Sequence, residues 1–410
     1  MKVLLSAYAC DPLGASEAAN AWFTASALAL DDQVTILTTD SMRGRVEKGV
    51  REVRERGGDL SAYYVSDEVP RAARLGTTGT FLRYAAWQRR IRAWVSDHDN
   101  GPWDVAHHSS WGSATLPVGI SYGPYPFTLG PLGGGQRLLR DLREWFDGPL
   151  LENRLRDASL GSVKVNPFAR RALGTASAVL VTNSQTMKLV APLSRRADPE
   201  LCLAEGIPDD RVLFEPMGDP STPHIVWLGR FLPRKAASLA VQAFAPLART
   251  IPDVTMSFVG DGPTRPKTES LVHALGISHR VRFLGSLPWN QAQEVLASAT
   301  VHLFTSVRDS SSAQTLEAAA LGIPTVTLAL AGAGDFLSRR GFVLVDPHPG
   351  HELPDRIADA LAEVLRWPLG RRSSESVGAL QFARENTWSL RTARLRETLG
   401  SACDSPPTRA

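Results

Sequence analysis

The stretch "LGRFLPRKA" sets Arg230 and Lys235 five positions apart, just past an apolar run that ends at Leu228. A guanidinium forks onto two oxygens at once, and an ammonium adds a point charge with freer geometry. Together they suit a diphosphate, although a solvated basic loop in an arginine-rich chain would read the same way. A second stretch, "SVRDSSSAQTLEAAALGIPTV", places Asp309 before three serines and Glu317 inside an alanine-rich helical run. Ser311, Ser312 and Ala313 fall at the start of that helix, where unpartnered backbone N–H groups and the helix dipole favour an anion. Their small side chains let a phosphate approach the backbone. Glu317, about one turn inside, is placed to take a pair of neighbouring hydroxyls as carboxylates do with ribose. Asp309, before the turn, is placed to hold hydroxyls of a sugar beyond the phosphates. The bland account is that the serines cap the helix and Glu317 is a surface acid.

Other residue types invite weaker readings. "YACDPLGASEAAN" sets Gly14 between the first strand-like run and the first helical one, a second candidate anion nest or a plain turn. "LGPLGGGQR" holds Gly133, Gly134 and Gly135 in succession, which is entropically costly unless backbone must approach something closely. "DVAHHSSW" ends a strand with His107 and His108 on opposite faces. One can face a ligand while the other is a satisfied core histidine. "DHD" at 97–99 mimics an acidic metal motif but sits at a helix end before Asn100-Gly101, where a turn is the simpler account. No metal-ligand cluster, nucleophile elbow or Walker loop is evident.

These residues need strands and helices to position them. The first half reads as a strand "KVLLSAYA", a helix from Ser16 to Leu30, and strands "QVTILTT" and "SAYYV". An amphipathic helix from Thr80 to Asp97 and strands "WDVAHHSS", "YPFTLG" and "ASAVLVTNS" follow. Short buried strands alternating with helices signal a doubly wound parallel sheet. The pattern lapses at "GIPDDRVLFEPMGDPSTP", with four prolines and two glycines in 18 residues. It restarts with "HIVWLGR" and alternates to "GFVLV", then closes with helices at Glu352 to Leu365 and Arg384 to Leu399. The expectation is two successive Rossmann-like domains, 1–218 and 219–384, with the helix near 385–402 packing back on the first. Two such domains facing each other would aim their strand-to-helix loops into one cleft. Each of the candidate residues above falls on such a loop.

Length and composition agree. At 410 residues two domains are the natural prior, and 43% hydrophobic with 21% charged residues is globular. A net charge of +3 is no nucleic-acid footprint, so no nucleic acid is expected as partner. Cys10, Cys202 and Cys403 lack disulfide or metal spacing, which suits a reducing cytoplasm. "MKVLLSAYAC" resembles a truncated signal peptide but reads better as a buried first strand. No apolar run reaches the roughly 18 residues of a membrane span.

"GRFLPRKA", "FVGDGP", "VRFLGSLP" and "DSSSAQTLEAAALGIPTV", in this order, resemble the donor-binding half of glycosyltransferase family 4. "ACDPLGASEAANAW" and "PFTLGPLGGG" resemble the acceptor-side half of one branch of that family. The resemblance runs from Met1 to about Val345 and implies an α/β GT-B fold. It implies a nucleotide-diphosphate sugar donor, with a UDP-sugar the favoured co-substrate, no metal and no other cofactor, and hexosyl transfer with retention. By the same resemblance Arg230 and Lys235 neutralise the leaving diphosphate, and Gly14, Gly134 and Gly229 lie along the donor. Glu317 binds ribose, the amides of Ser312 and Ala313 bind phosphate, and one histidine touches the donor sugar, His108 favoured over His107. Asp309 stands where the family has the first acid of a glutamate pair, and Ser310-Ser311-Ser312 replaces the usual Gly-Phe-Gly. Ala236 stands where glycine is common, and Ala15 where a second small residue is.

A sugar-nucleotide epimerase or phosphorylase on the same fold, and a weakened, binding-only relative, are the alternatives. A nicotinamide dehydrogenase would need a G-x-G-x-x-G after the first strand, which is missing. The acceptor is left open between a small molecule and a lipid-linked one. The basic-aromatic stretches "FLRYAAWQRRIRAWV" and "RLLRDLREWF", read as helices, suit either a weak membrane-surface contact or packing on the sheet with arginines snorkelling.

Overall fold

The computed structural model describes residues 1–14, 17–97, 103–109, 111–213, 222–310 and 313–404. The chain forms two compact units. The first carries a seven-stranded sheet built from β1 (Lys2–Ser6), β2 (Gln33–Thr39), β3 (Leu60–Val65), β4 (Val105–His108), β5 (Phe127–Leu132), β6 (Ala178–Val181) and β7 (Glu200–Leu201). The second carries six strands, β8 (His224–Leu228), β9 (Thr255–Val259), β10 (Val281–Phe283), β11 (Val301–Phe304), β12 (Thr325–Leu328) and β13 (Phe342–Val345).

Spatial orders are β3-β2-β1-β4-β5-β6-β7 and β10-β9-β8-β11-β12-β13, and every pairing is parallel. Parallel strands are covered on both faces, which is why their sequences are near-continuous apolar runs. In the first unit alternate residues serve two cores. Leu4, Ala106, Tyr84, Trp87 and Ile91 pack on one face; Val3, Leu5, Val105, Trp22 and Ile36 pack on the other. "KVLLS" is therefore a central strand. In each sheet the strand order reverses once, between β1 and β4 and between β8 and β11, and such switch points are where open α/β sheets bind ligands.

The helix Gly76–Asp97 buries Tyr84, Trp87, Gln88, Ile91 and Val95 and begins four residues before its expected start. Positions 98 and 99 of the "DHD" turn lie outside the described residues, as does Ala15. "RLLRDLREWF" is no α-helix: a short 3-10 turn, Arg140–Trp145, buries Leu142 and Trp145 beside Leu138, just before it, in the core of the second unit.

The division of the chain differs from a single break at 218. The second unit holds Gln136–Arg156 and Ile207–Thr387, and the first holds the rest. Residues 136–156 are fastened there by three polar ties. The Trp145 indole donates to the Gly350 carbonyl at 2.9 Å, His348 Nδ1 lies 2.9 Å from Asp141, and buried Asp147 accepts from Ser238 and Lys267. A helix not expected from the sequence, Leu369–Arg384, closes the second unit, and the closing helix expected from Arg384 is Trp388–Cys403 in the first. Arg396 of the latter and the N-terminal ammonium both bind Asp32, which fixes the helix beside the start of β1.

Candidate active site

In the second unit the loops after β8 and β11 flank the switch point and are stitched together. The Trp227 indole donates to Thr305 Oγ1 at 3.0 Å, and that hydroxyl reaches the carbonyls of Lys235 and Ala236. The Val307 amide and the Ser306 hydroxyl both reach the Arg234 carbonyl. This lacing brings Lys235 onto Asp309, 74 residues later, with Nζ to Oδ2 at 2.6 Å. Both side chains are largely enclosed, at 7% and 17% exposure. Lys235 Nζ also donates to Gln314 Oε1 at 3.4 Å and lies 4.4 Å from the centre of the Phe304 ring. Burial alone would raise the Asp309 carboxyl; the Lys235 ammonium and the Arg234 guanidinium outweigh it and hold it below the ordinary carboxylate range.

Arg230 stands exposed at the mouth of the same loop and makes no ion pair among the described residues. Gly229 follows β8 at φ 155°, with its amide on Val259 and its carbonyl pressed against Gly260. Ala236 adopts the left-handed conformation, φ 48° and ψ 52°, as it opens the helix Ala237–Thr250. That is the physical reason a glycine is common there.

Ala313 is the first residue of the helix Ala313–Ala320, while Ser311 and Ser312 lie outside the described residues. Glu317, half-buried, accepts from Trp289 Nε1 at 3.4 Å and from Gln293 Nε2 at 3.3 Å. The helix Trp289–Ala297 thus holds both oxygens of the expected ribose carboxylate. Gln314, Trp289 and Gln293 are site residues that sequence reasoning missed. Gln314 sits inside the quoted motif, and only its contact with Lys235 sets it apart.

In the first unit His107 and His108 are both buried and, by register, lie beside Leu5 and Ser6 of β1. His108 Nδ1 lies 3.1 Å from Ser6 Oγ and Nε2 3.2 Å from the Tyr84 hydroxyl, so both nitrogens already have partners. His107 Nδ1 meets Thr128 Oγ1 at 2.8 Å, and burial lowers its pKa to about 4. Gly14 closes a turn with its amide on Asp11; an added Cβ would sit 2.9 Å from Asp11 Cβ. The triple glycine has neighbours of its own chain. Gly133 donates to the Gly112 carbonyl at 2.6 Å, and Gly135 packs against the backbone of Thr186. Gly134, at φ 86°, faces open space where a Cβ would be. Among the described residues no three His, Cys, Asp or Glu side chains gather as metal ligands.

Residues 222–366, which span the switch point of the second unit, match the family described as glycosyl transferases group 1. The match falls within this unit and agrees with the resemblance to family 4. The chain is 28% identical over 195 residues to a phosphatidylinositol N-acetylglucosaminyltransferase component of Arabidopsis thaliana, covering 47% of this chain and 43% of that protein. It is 29% identical over 202 residues to a GDP-mannose-dependent phosphatidylinositol monomannoside mannosyltransferase of Mycolicibacterium smegmatis, covering 47% and 52%. The chain thus spans about half the length of these relatives. In fold it is similar to Anabaena HepE, solved in complex with UDP and glucose, with a TM-score of 0.65 at 16% identity over 98% of this chain and 100% of that one. The fold is GT-B.

Proposed function

We propose that the protein is a retaining glycosyltransferase that moves a hexosyl group from a nucleotide-diphosphate sugar to an acceptor hydroxyl without a metal. The observation that carries this reading is the convergence of Lys235, Asp309 and Gln314 beside the start of the helix Ala313–Ala320, with Arg230 exposed on the adjoining loop. A diphosphate seated there meets two cations and the helix N-terminus. That arrangement stabilises the charge that develops as the phosphate leaves. Asp309, kept ionised by Lys235, accepts hydroxyls of the sugar, and Glu317 accepts those of the ribose. The acceptor attacks from the face the diphosphate vacates, and the departing phosphate oxygen takes the acceptor's proton. HepE, crystallised with UDP and glucose, supports a UDP-sugar as donor. The two relatives above, named for lipid-inositol substrates, keep a lipid-linked acceptor in view beside a small soluble one. No described helix is long and apolar enough to cross a membrane, and the reading places the protein in the cytoplasm.

The test has two parts. A nucleoside diphosphate at a hundred times its Kd stabilises the native state by about 2.7 kcal/mol, so UDP, GDP and ADP are compared by thermal shift. Arg230→Ala is then expected to lower transfer turnover by about 100-fold or more, with an unchanged circular dichroism spectrum. Wild-type turnover in Arg230→Ala, or no shift with any diphosphate, refutes the reading.

A further inference from the structure

The switch point of the first unit holds a group of side chains that the donor chemistry leaves unused. Trp111 follows β4 by three residues and adopts a left-handed φ of 53°, a genuine outlier for a bulky side chain. The strain is imposed by its neighbours. The Gly112 carbonyl accepts from the Gly133 amide, and a Cβ on Gly112 would come within 2.4 Å of the Pro131 carbonyl oxygen. The turn therefore cannot relax without dismantling the end of β5. Such strain persists where the surrounding structure over-determines it, and it collects at ligand sites.

The strain aims an indole. Tyr84 stacks on Trp111 at 4.9 Å and 7° and covers one face of the ring, while Tyr8 and Phe81 meet it edge-on at 5.2 and 5.6 Å. Trp111 is still partly open to solvent, and Phe81 is 47% exposed. A fully structural cluster would bury both.

Polar groups border the platform. The Glu17 carboxylate is near enough to the Gly112 amide, next to Trp111 in the chain, and to Glu205 to feel both electrostatically. Glu17 as a residue is exposed, yet desolvation of its carboxyl, aided by Glu205, raises its pKa against the effect of that amide. Asp67 accepts from the Tyr8 hydroxyl at 2.8 Å and pairs with Arg83 at 2.6 Å, which locks Tyr8 behind the indole.

We infer that Trp111, flanked by Phe81 and Glu17, forms a subsite for a hydroxylated six-membered ring, a pyranose or a cyclitol, and that this ring is the acceptor of the proposed transfer. The second half of this statement rests on the glycosyltransferase reading; the subsite itself does not. A saturated ring with equatorial hydroxyls presents a face of C–H bonds, whose partial positive charge matches the negative face of an aromatic ring. Its rim of hydroxyls suits a carboxylate that accepts two hydrogen bonds. An acyl chain would have no use for Glu17, and an open-chain polyol has no flat C–H face to lay on the indole.

Two measurements test this. Calorimetric titration of the donor-free protein with methyl α-D-glucopyranoside, myo-inositol and D-sorbitol reads the subsite alone. One of the two rings binds and sorbitol does not, and the ring that binds distinguishes the pyranose from the cyclitol. Trp111→Ala weakens that ring by about tenfold or more, and Trp111→Phe recovers most of the loss. In transfer assays the same ring's KM rises by a similar factor in Trp111→Ala while the donor's KM moves less than about twofold. Exposed Phe81→Ala carries the same comparison where Trp111→Ala melts early. Equal ring binding in wild type, Trp111→Ala and Phe81→Ala overturns the subsite, as does a preference for sorbitol. Ring binding without cleavage of any nucleotide sugar would instead sink the transferase reading and leave the subsite standing.

Discussion

Removing both members of the Lys235–Asp309 pair should cost far less than the sum of removing each alone. The two side chains are 7% and 17% exposed and meet at 2.6 Å, so they belong closer to the buried class of ion pair than to the surface class. Asp309→Ala leaves an ammonium beside the Phe304 ring and the neutral Gln314 Oε1 at 3.4 Å, with the Asp309 charge removed. Breaking a buried pair in this way costs about 3–5 kcal/mol, and slight solvent access puts the expectation near the lower end. Lys235→Met leaves a carboxylate that can still take a proton or water, so about 2 kcal/mol is expected. The double variant, with neither charge to solvate, should lose only about 2 kcal/mol, giving a coupling energy of about 3 kcal/mol. Urea denaturation of the four ligand-free proteins at neutral pH measures each value. The cycle also has a pH signature. Because the folded Asp309 carboxyl lies below its unfolded value of about 3.9, its contribution is full above that value. It disappears as pH falls through the lower folded value. Wild type should therefore lose stability below about pH 4 that Asp309→Ala has already lost. Single-variant costs that simply add, with coupling under about 0.5 kcal/mol, would refute the claim that this pair is one energetic unit.

Two further outcomes are expected. Asp147, whose side chain is 1% exposed, accepts from the Ser238 hydroxyl and amide and from Lys267; Asp147→Ala should lower the urea-derived stability by about 3 kcal/mol, whereas Lys267→Ala, at the exposed end, should cost under about 1 kcal/mol. His302 on β11 is buried, with Nδ1 on Thr325 Oγ1 and its pKa lowered to about 3 by desolvation and then by Lys235. The unfolded chain takes up its proton near pH 6.5 while the folded chain does not, so stability falls between those two values by about 1.4 kcal/mol per pH unit. His302→Gln should remove about 2.5 kcal/mol of the loss seen between pH 7 and 4.5, measured by denaturation at both.

Much of the architecture is legible because a parallel sheet writes itself as apolar runs. "KVLLS", "HIVWL" and "VHLF" are strands by that rule, and the loops that follow them carry the basic and acidic residues assigned to the donor. Boundaries are less legible. Arg384 reads as the start of one closing helix because Glu385-Asn386-Thr387 contains neither glycine nor proline, yet there the chain leaves one unit for the other. Residues 137–146 mix basic and aromatic letters like an amphipathic helix. They instead form a short 3-10 turn and strap, held through Asp141, Trp145 and the adjoining Asp147 to anchors, Gly350, His348, Ser238 and Lys267, that lie far along the chain.

The sequence alone determined the class of fold and the kinds of group on each loop, since burial on both faces and helix-start chemistry are local demands. The tertiary structure alone decided which of those groups meet: Asp309 with Lys235, Glu317 with Trp289 and Gln293, Trp111 with Tyr84. Each of those meetings depends on strand order and on loops laced by hydrogen bonds between residues distant in the chain, and no local pattern of residue types encodes a distance.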